Sequence, residues 1–209
     1  MGGRTWGSSV RRLSNDGGSI WRSRYDPEID NARKALAWAL SESGDPLIAA
    51  RIITGFRWLW IDSGRVMELR RLAEATLVRL DERDDSHPLA SVLLTLTYCQ
   101  SGSERFATAT RAISIFRHCN DPIGAAEALS KLGAYYASAG SFDDALASLD
   151  RAVALYDQTD LAQSLACAYV YFARATVFHD MSRSEDAERD ISRARSRPSL
   201  WGRFLRDGC

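Results

Sequence analysis

The chain is poor in proline, cysteine and lysine. Only five of its 209 residues are proline, so helices can run almost unbroken and a proline-rich extended chain is excluded. The four cysteines, Cys99, Cys119, Cys167 and Cys209, stand far apart. There is no C-x-x-C pair and no His/Cys cluster with zinc spacing, which argues against a disulfide scaffold or a structural zinc site. Cys99 and Cys167 fall within helical patterns and read as small core residues, and a reducing cytoplasm is the expected compartment. No apolar run approaches the ~18 residues that a membrane span requires. No stretch sustains apolar alternation, so no sheet is expected. Lysine supplies two of the 27 basic residues, a bias of coding from which no function follows.

What is present is a helix-forming chain with an uneven charge. Hydrophobic residues make up 45% of it, enough to bury a core. The formal net charge is zero. Residues 1–24 nevertheless carry five arginines and one aspartate, and residues 189–209 six arginines and two aspartates. The middle is acidic by eight charges. Basic ends can attract nucleic acid or acidic proteins, but solvated tails are the plainer reading, so direct nucleic-acid binding is not expected. Residues 1–24 are rich in Arg, Ser and Gly and lack an apolar signal core. They read as a loose basic leader or the remnant of a preceding domain, with an organelle transit peptide as the alternative.

The strongest signal is a repeat. Residues 126–155 read AEALSKLGAYYASAGSFDDALASLDRAVAL. Leu132-Gly133, Tyr136, Gly140, Ala145, Leu149 and Ala152 follow the large, small, large, turn, small order of a tetratricopeptide helix pair. Leu94, Tyr98 and Gly102 precede their counterparts by 38 residues, and Ala112 and Phe116 precede theirs by 40. Ala175, Phe178, Ala187, Ile191 and Ala194 follow by 42. Ile53, Trp60, Gly64, Leu72 and Ala75 are matched at 76 or 77. The period is near 40 rather than the usual 34. The expected fold is all-α, a tetratricopeptide-like α-solenoid of about four helix pairs with a leading helix.

Proline and capping residues set the expected boundaries. Asp26-Pro27, Asp45-Pro46 and Asp121-Pro122 each place an acceptor before a proline at the first helical position, and His87-Pro88 opens another helix more weakly. Ser141 with Asp144, and Ser182 with Glu185, resemble capping boxes. A leading helix is expected near 27–43. The pairs follow at 46–62 with 65–81, 88–101 with 104–117, 122–139 with 142–157, and 160–181 with 184–195. The domain division is a basic flexible leader at 1–24, the solenoid at 25–197, and a tail or short cap at 198–209. Trp201, Phe204 and Leu205 are the candidates for covering the last pair, since an exposed solenoid end needs a cover.

Two segments carry a resemblance. One is Glu28-Ile-Asp-Asn-Ala-Arg-Lys-Ala-Leu-Ala-Trp-Ala-Leu40 with Gly44-Asp45, Phe56-Arg-Trp-Leu-Trp60 and Gly64. The other runs from Ile115-Phe116-Arg117 through Asn120-Asp121 and Gly124 to Leu132-Gly133. Together they resemble the C-terminal tetratricopeptide region of bacterial signal-transduction ATPases with numerous domains, the group that includes LuxR-type, antibiotic-regulatory-type and cyclase-linked regulators. The chain has no G-x-x-x-x-G-K-[ST] phosphate loop and no separate helix-turn-helix reader. The resemblance therefore implies the sensor or interaction arm alone, either free-standing or a piece of a split or shortened gene. It implies a non-catalytic module whose partner is a protein or peptide, or a small-molecule inducer, with a separate ATPase or DNA-binding regulator as a further candidate. The alternative is a generic scaffold or adaptor unrelated to transcription, and the second alternative is a nucleic-acid-associated protein that uses the Arg-rich ends.

First helices line the inner face of such a solenoid. Helical spacing projects Arg51, Thr54, Trp58 and Asp62 onto that face, then Leu89, Val92, Leu96 and Gln100. Glu127, Ser130, Ala134 and Ser138 follow, and the last pair contributes Tyr169, Phe172, Thr176 and His179. This mixture suits a peptide, a helix or a small organic ligand. The competing reading of Trp58, Tyr169 and Phe172 is core packing. Arg79 reads as an exposed surface position. His87, His118 and His179 are isolated in sequence, and Asp84-Asp85 and Asp143-Asp144 read as turn or first-turn acids. No catalytic constellation, cofactor site or metal site is expected.

Overall fold

The computed structural model describes residues 27–80 and 86–196. The leader 1–24, Asp26, Asp84-Asp85 and the tail with Trp201, Phe204, Leu205 and Cys209 lie outside the described residues. Among the described residues every regular element is a helix. The chain forms two compact units that divide after Leu80.

The first unit holds α1 (27–39), α2 (Pro46–Asp62) and α3 (Val66–Arg79). The carboxylate of Asp45 accepts the Leu47 N–H at 2.8 Å and so caps α2 ahead of Pro46. Ile29, Leu36, Ile53, Trp60 and Leu69 are fully enclosed. Arg33 on α1 grips Glu68 on α3 through two parallel hydrogen bonds of 2.6 and 2.7 Å. Arg79 is no free surface residue. Its guanidinium donates to the Leu40 and Ser41 carbonyls at 3.1 and 2.8 Å, tying the end of α3 to the turn after α1. That turn ends α1 four residues sooner than expected, because the chain folds back at Gly44, where a Cβ would meet the Trp38 carbonyl oxygen at 2.1 Å.

The second unit holds three pairs: α4 (His87–Thr97) with α5 (Glu104–His118), α6 (Pro122–Ser138) with α7 (Phe142–Asp157), and α8 (Leu165–Asp180) with α9 (Ser184–Ser196). Within the unit the first helix of each later pair packs on both helices of the pair before it: α6 on α4 and α5, and α8 on α6 and α7. This is the stacking of a solenoid. The expected helix at 160–181 is interrupted. A short 3-10 turn, Asp160–Gln163, precedes Ser164, whose hydroxyl caps α8 by accepting the Cys167 N–H at 3.2 Å.

The repeat reappears in the backbone. Gly64, Gly102, Gly140 and Ser182 all take left-handed conformations, with φ of 76°, 71°, 78° and 59°. Each sits in the turn joining the two helices of its pair. Small residues then face the partner helix. A Cβ on Gly133 would meet Leu149 Cγ at 2.7 Å and the Ala145 carbonyl at 3.1 Å. Three expectations need correction. In α3 the buried face carries Leu69, Ala73 and Thr76, whereas Leu72 is half-buried and Ala75 exposed. A uniform offset of 76 from Ala145, Leu149 and Ala152 describes this helix, so the extra residue assumed in the sequence reading does not exist. Ser141 makes no side-chain cap. Ser182 lies in the left-handed turn itself, two residues before α9 begins, so it occupies the glycine position of the repeat and not a capping box.

Candidate functional site

The expected inner face does not form in α4. Leu89, Val92 and Leu96 are at most 5% exposed, and eight of the helix's eleven residues are buried. A helix that is apolar all round is enclosed rather than grooved, so Leu96 is a core residue and no anchor for a ligand. Gln100 lies beyond the end of α4, in the connection to α5, because the helix stops at Thr97. Its Oε1 is enclosed without a hydrogen-bond partner among the described residues.

Along α6 the expected positions join a polar and aromatic cluster. Glu127 accepts the Tyr98 hydroxyl at 2.8 Å, and the Lys131 ammonium stands 4.1 Å from the Tyr98 ring centre. Four residues further on, the Tyr135 hydroxyl donates to the Thr97 carbonyl at 2.6 Å, and burial raises that phenol above its ordinary range. The Arg105 guanidinium stacks 4.6 Å over the Tyr135 ring and donates to the Ser138 hydroxyl at 2.8 Å. Ser130 is half-buried and Ala134 exposed. Glu127 and Ser138 are thus engaged in bonds that fix α6 to the preceding pair. Tyr98, Lys131 and Arg105 escape a reading that projects one helix at a time.

In α8 the expected residues gather most closely. Tyr169 and Phe172 are each 57% exposed, so the core alternative does not hold for either. Phe172, Thr176 and His179 line an open cleft of about 330 Å³ together with Ala175, and α9 supplies the other wall through Ser184, Ala187, Glu188 and Ile191. Ala175 and Ala187 are buried, whereas the polar lining residues Thr176, His179, Ser184 and Glu188 are exposed. The volume lies near the lower end for ligand sites and suits one or two side chains, or a small organic group. The α9 wall was missed because only first helices were projected onto the inner face. Tyr169, one turn earlier, extends the aromatic surface but does not line the cleft.

Trp58 belongs to the first unit. It is 47% exposed and lies under the Arg57 guanidinium at 5.5 Å, so it too is a surface residue. Arg51 and Asp62 are exposed, and the half-buried Thr54 spends its hydroxyl on the Ala50 carbonyl at 2.8 Å.

An ion network ties the two walls of the cleft to each other and to α7. Arg174 on α8 donates to both oxygens of Asp190 on α9, at 2.6 and 2.8 Å, and to Asp150 on α7 at 2.5 Å. Burial alone would make Arg174 easier to deprotonate, but its bonds to Asp190 and Asp150 hold the guanidinium firmly charged. His87, isolated in sequence, is brought to Asp121, whose carboxylate accepts at 2.9 Å while also capping α6 through the Ile123 and Gly124 N–H groups. Among the described residues no group of three His, Cys, Asp or Glu side chains is placed to hold a metal ion. No helix there is long and apolar enough to cross a membrane.

No family model matches the sequence, and no curated protein does either. Solved structures do match. One is BtubC (BKLC) from P. vanneervenii, with a TM-score of 0.66 and 18% identity over 90% of this chain and 85% of that one. At that identity the likeness concerns the fold, and it supports the arrangement of successive helix pairs.

Proposed function

We propose that the chain is a non-catalytic, tetratricopeptide-type interaction or ligand-sensing module of a bacterial signalling or transcription-regulatory system. The observation that carries the reading is the pairing of exposed Tyr169 and Phe172 with the apolar cleft between α8 and α9. Large aromatic side chains left half in water on a rigid scaffold are the usual anchors of a protein contact. The cleft accepts an apolar side chain of a peptide or helix, with the exposed Glu188 and His179 of its lining to select polar neighbours. The link to regulation rests on the Glu28–Leu40 block and on the second segment from Ile115 to Gly133.

The test is capture of a defined partner. ATPase, cyclase or helix-turn-helix proteins encoded beside this chain are assayed for binding to the native protein and to the Tyr169→Ala/Phe172→Ala variant. Specific binding that the double variant weakens at least about tenfold supports the reading. Binding that is unchanged, or ATP turnover by the pure chain, overturns it.

A further inference from the structure

We infer that the chain pairs with a second copy of itself through the outer face of α2, the two helices lying antiparallel about a two-fold axis between Phe56 and Arg57. Leu47, Arg51, Gly55, Trp58 and Asp62 follow one another at three or four residues along this helix, and all five are exposed. They lie opposite the face that buries Ala49, Ile53 and Trp60. Leu47 and Trp58 thus place two large apolar groups in water on one outer helix face. Gly55 stands between them. A glycine in mid-helix weakens the helix, yet a Cβ there would meet nothing within 4 Å. No neighbour among the described residues requires this position to be small. A second helix laid across it would.

The occupant follows from the order of residues on the face. In an antiparallel pair, residues equally far from the axis stand side by side. Trp58 then meets the gap at Gly55 of the second copy, and Gly55 receives the second copy's Trp58 in return. Arg51 meets Asp62 of the second copy, and Asp62 meets its Arg51. Arg51 and Asp62 lie about 16 Å apart along one helix, so they cannot pair within a single chain. A face complementary to itself in this way is what a two-fold interface requires. A parallel pairing would set Arg51 against Arg51 and Asp62 against Asp62, so the charges also select the direction. One helix face from each copy is a contact at the low end of specific interfaces, and a dissociation constant on the order of 10 µM is expected. The pairing does not rest on the proposed function.

Sedimentation equilibrium of the full-length chain, from about 1 to 300 µM, tests the pairing. The average mass should rise from 23.2 kDa toward twice that value. Gly55→Leu fills the gap without touching the core and should weaken pairing at least about tenfold. Arg51→Asp and Asp62→Arg should each weaken it similarly, because like charges then face each other. Both positions are exposed, and the exchanged charges suit the helix dipole, so the fold should be kept, as circular dichroism checks. The two single variants mixed in equal amounts should pair with each other, since every facing pair is then of opposite charge. The double variant Arg51→Asp/Asp62→Arg should recover pairing with itself. Tyr169→Ala/Phe172→Ala should leave the dimer unchanged. A native chain that stays monomeric at the highest concentration overturns the inference. So does a dimer that the single charge variants leave untouched, or one whose loss neither mixing nor the double exchange repairs. A dimer abolished by Tyr169→Ala/Phe172→Ala would assign the contact to the α8–α9 cleft and overturn it as well.

Discussion

Arg174 holds Asp190 through two parallel hydrogen bonds, and Asp190 is 1% exposed. A third bond from the same guanidinium reaches Asp150, so one side chain joins α7, α8 and α9. Its ring neighbours complete the enclosure, with Tyr171 at 5.1 Å and Phe178 at 6.0 Å. Asp190→Ala leaves this buried cation without its main partner. The expected loss is about 3–5 kcal/mol, read as a fall in the urea midpoint. A change below about 1 kcal/mol would mean that water replaces the carboxylate.

Gly133→Leu tests the closest approach within a pair. Even a Cβ there would lie 2.7 Å from Leu149 Cγ, and Leu149 has no free surface toward which to retreat. Overpacking should cost about 1–3 kcal/mol or more, against a gain of about 1 kcal/mol in helix propensity. The melting temperature is therefore expected to fall. A rise would show that α6 and α7 separate easily.

Ser182 is the one pair-joining turn of the repeat without glycine, yet its φ is 59°. A left-handed residue with a Cβ is disfavoured by about 1–2 kcal/mol, and the greater freedom of glycine when unfolded offsets part of that. Ser182→Gly should stabilise the α8–α9 pair by about 0.5–1 kcal/mol. Thermal unfolding followed by circular dichroism checks the sign.

The aromatic surface is testable without knowing its ligand. Tyr169 and Phe172 are more than half exposed, so replacing both with alanine should leave helicity and melting temperature nearly unchanged. The control belongs at Arg151, an exposed residue of α7, since Arg79 is bonded to the turn after α1. A collapse of helicity in the double variant would return both rings to the core.

The first unit should respond to acid through Glu68. Its bonds from Arg33 hold the carboxyl below the ordinary range. A carboxylate depressed in the folded state stabilises fully above its unfolded pKa of about 4.3 and loses that contribution as the pH falls through the lower folded value. The advantage of the native chain over Glu68→Gln should thus be present at neutral pH and shrink below about pH 4. Fluorescence of the first unit's tryptophans during urea unfolding at the two pH values gives the comparison.

The fold was legible because the repeat is written in residues whose reason is local. A glycine that must turn left-handed, and a small residue where helices touch, leave marks at fixed spacing. Gly64, Gly102, Gly140 and Gly133 all showed them. The candidate site was legible only in α8. Phe172, Thr176 and His179 project outward by helical spacing, as the structure has them, but their opposing wall lies on another helix. Leu96 failed for a different reason. Spacing assigns a face to a residue, whereas burial depends on what covers that face, and α4 is covered nearly all round. The His87–Asp121 contact spans 34 residues and has no sequence signal at all.

The left-handed turns also explain how spacings of 38, 40 and 42 coexist in one chain. Each such residue ends one helix and restarts the phase of the next, so a length change inside one pair is not transmitted to its neighbours. The insertion is absorbed in a connection, as when the 3-10 turn Asp160–Gln163 takes up the extra residues between α7 and α8. Chain length can therefore drift while every interhelical seam keeps its register. A search tuned to one fixed period passes over such a protein, because the regularity resides in its joints and not in the distance between them.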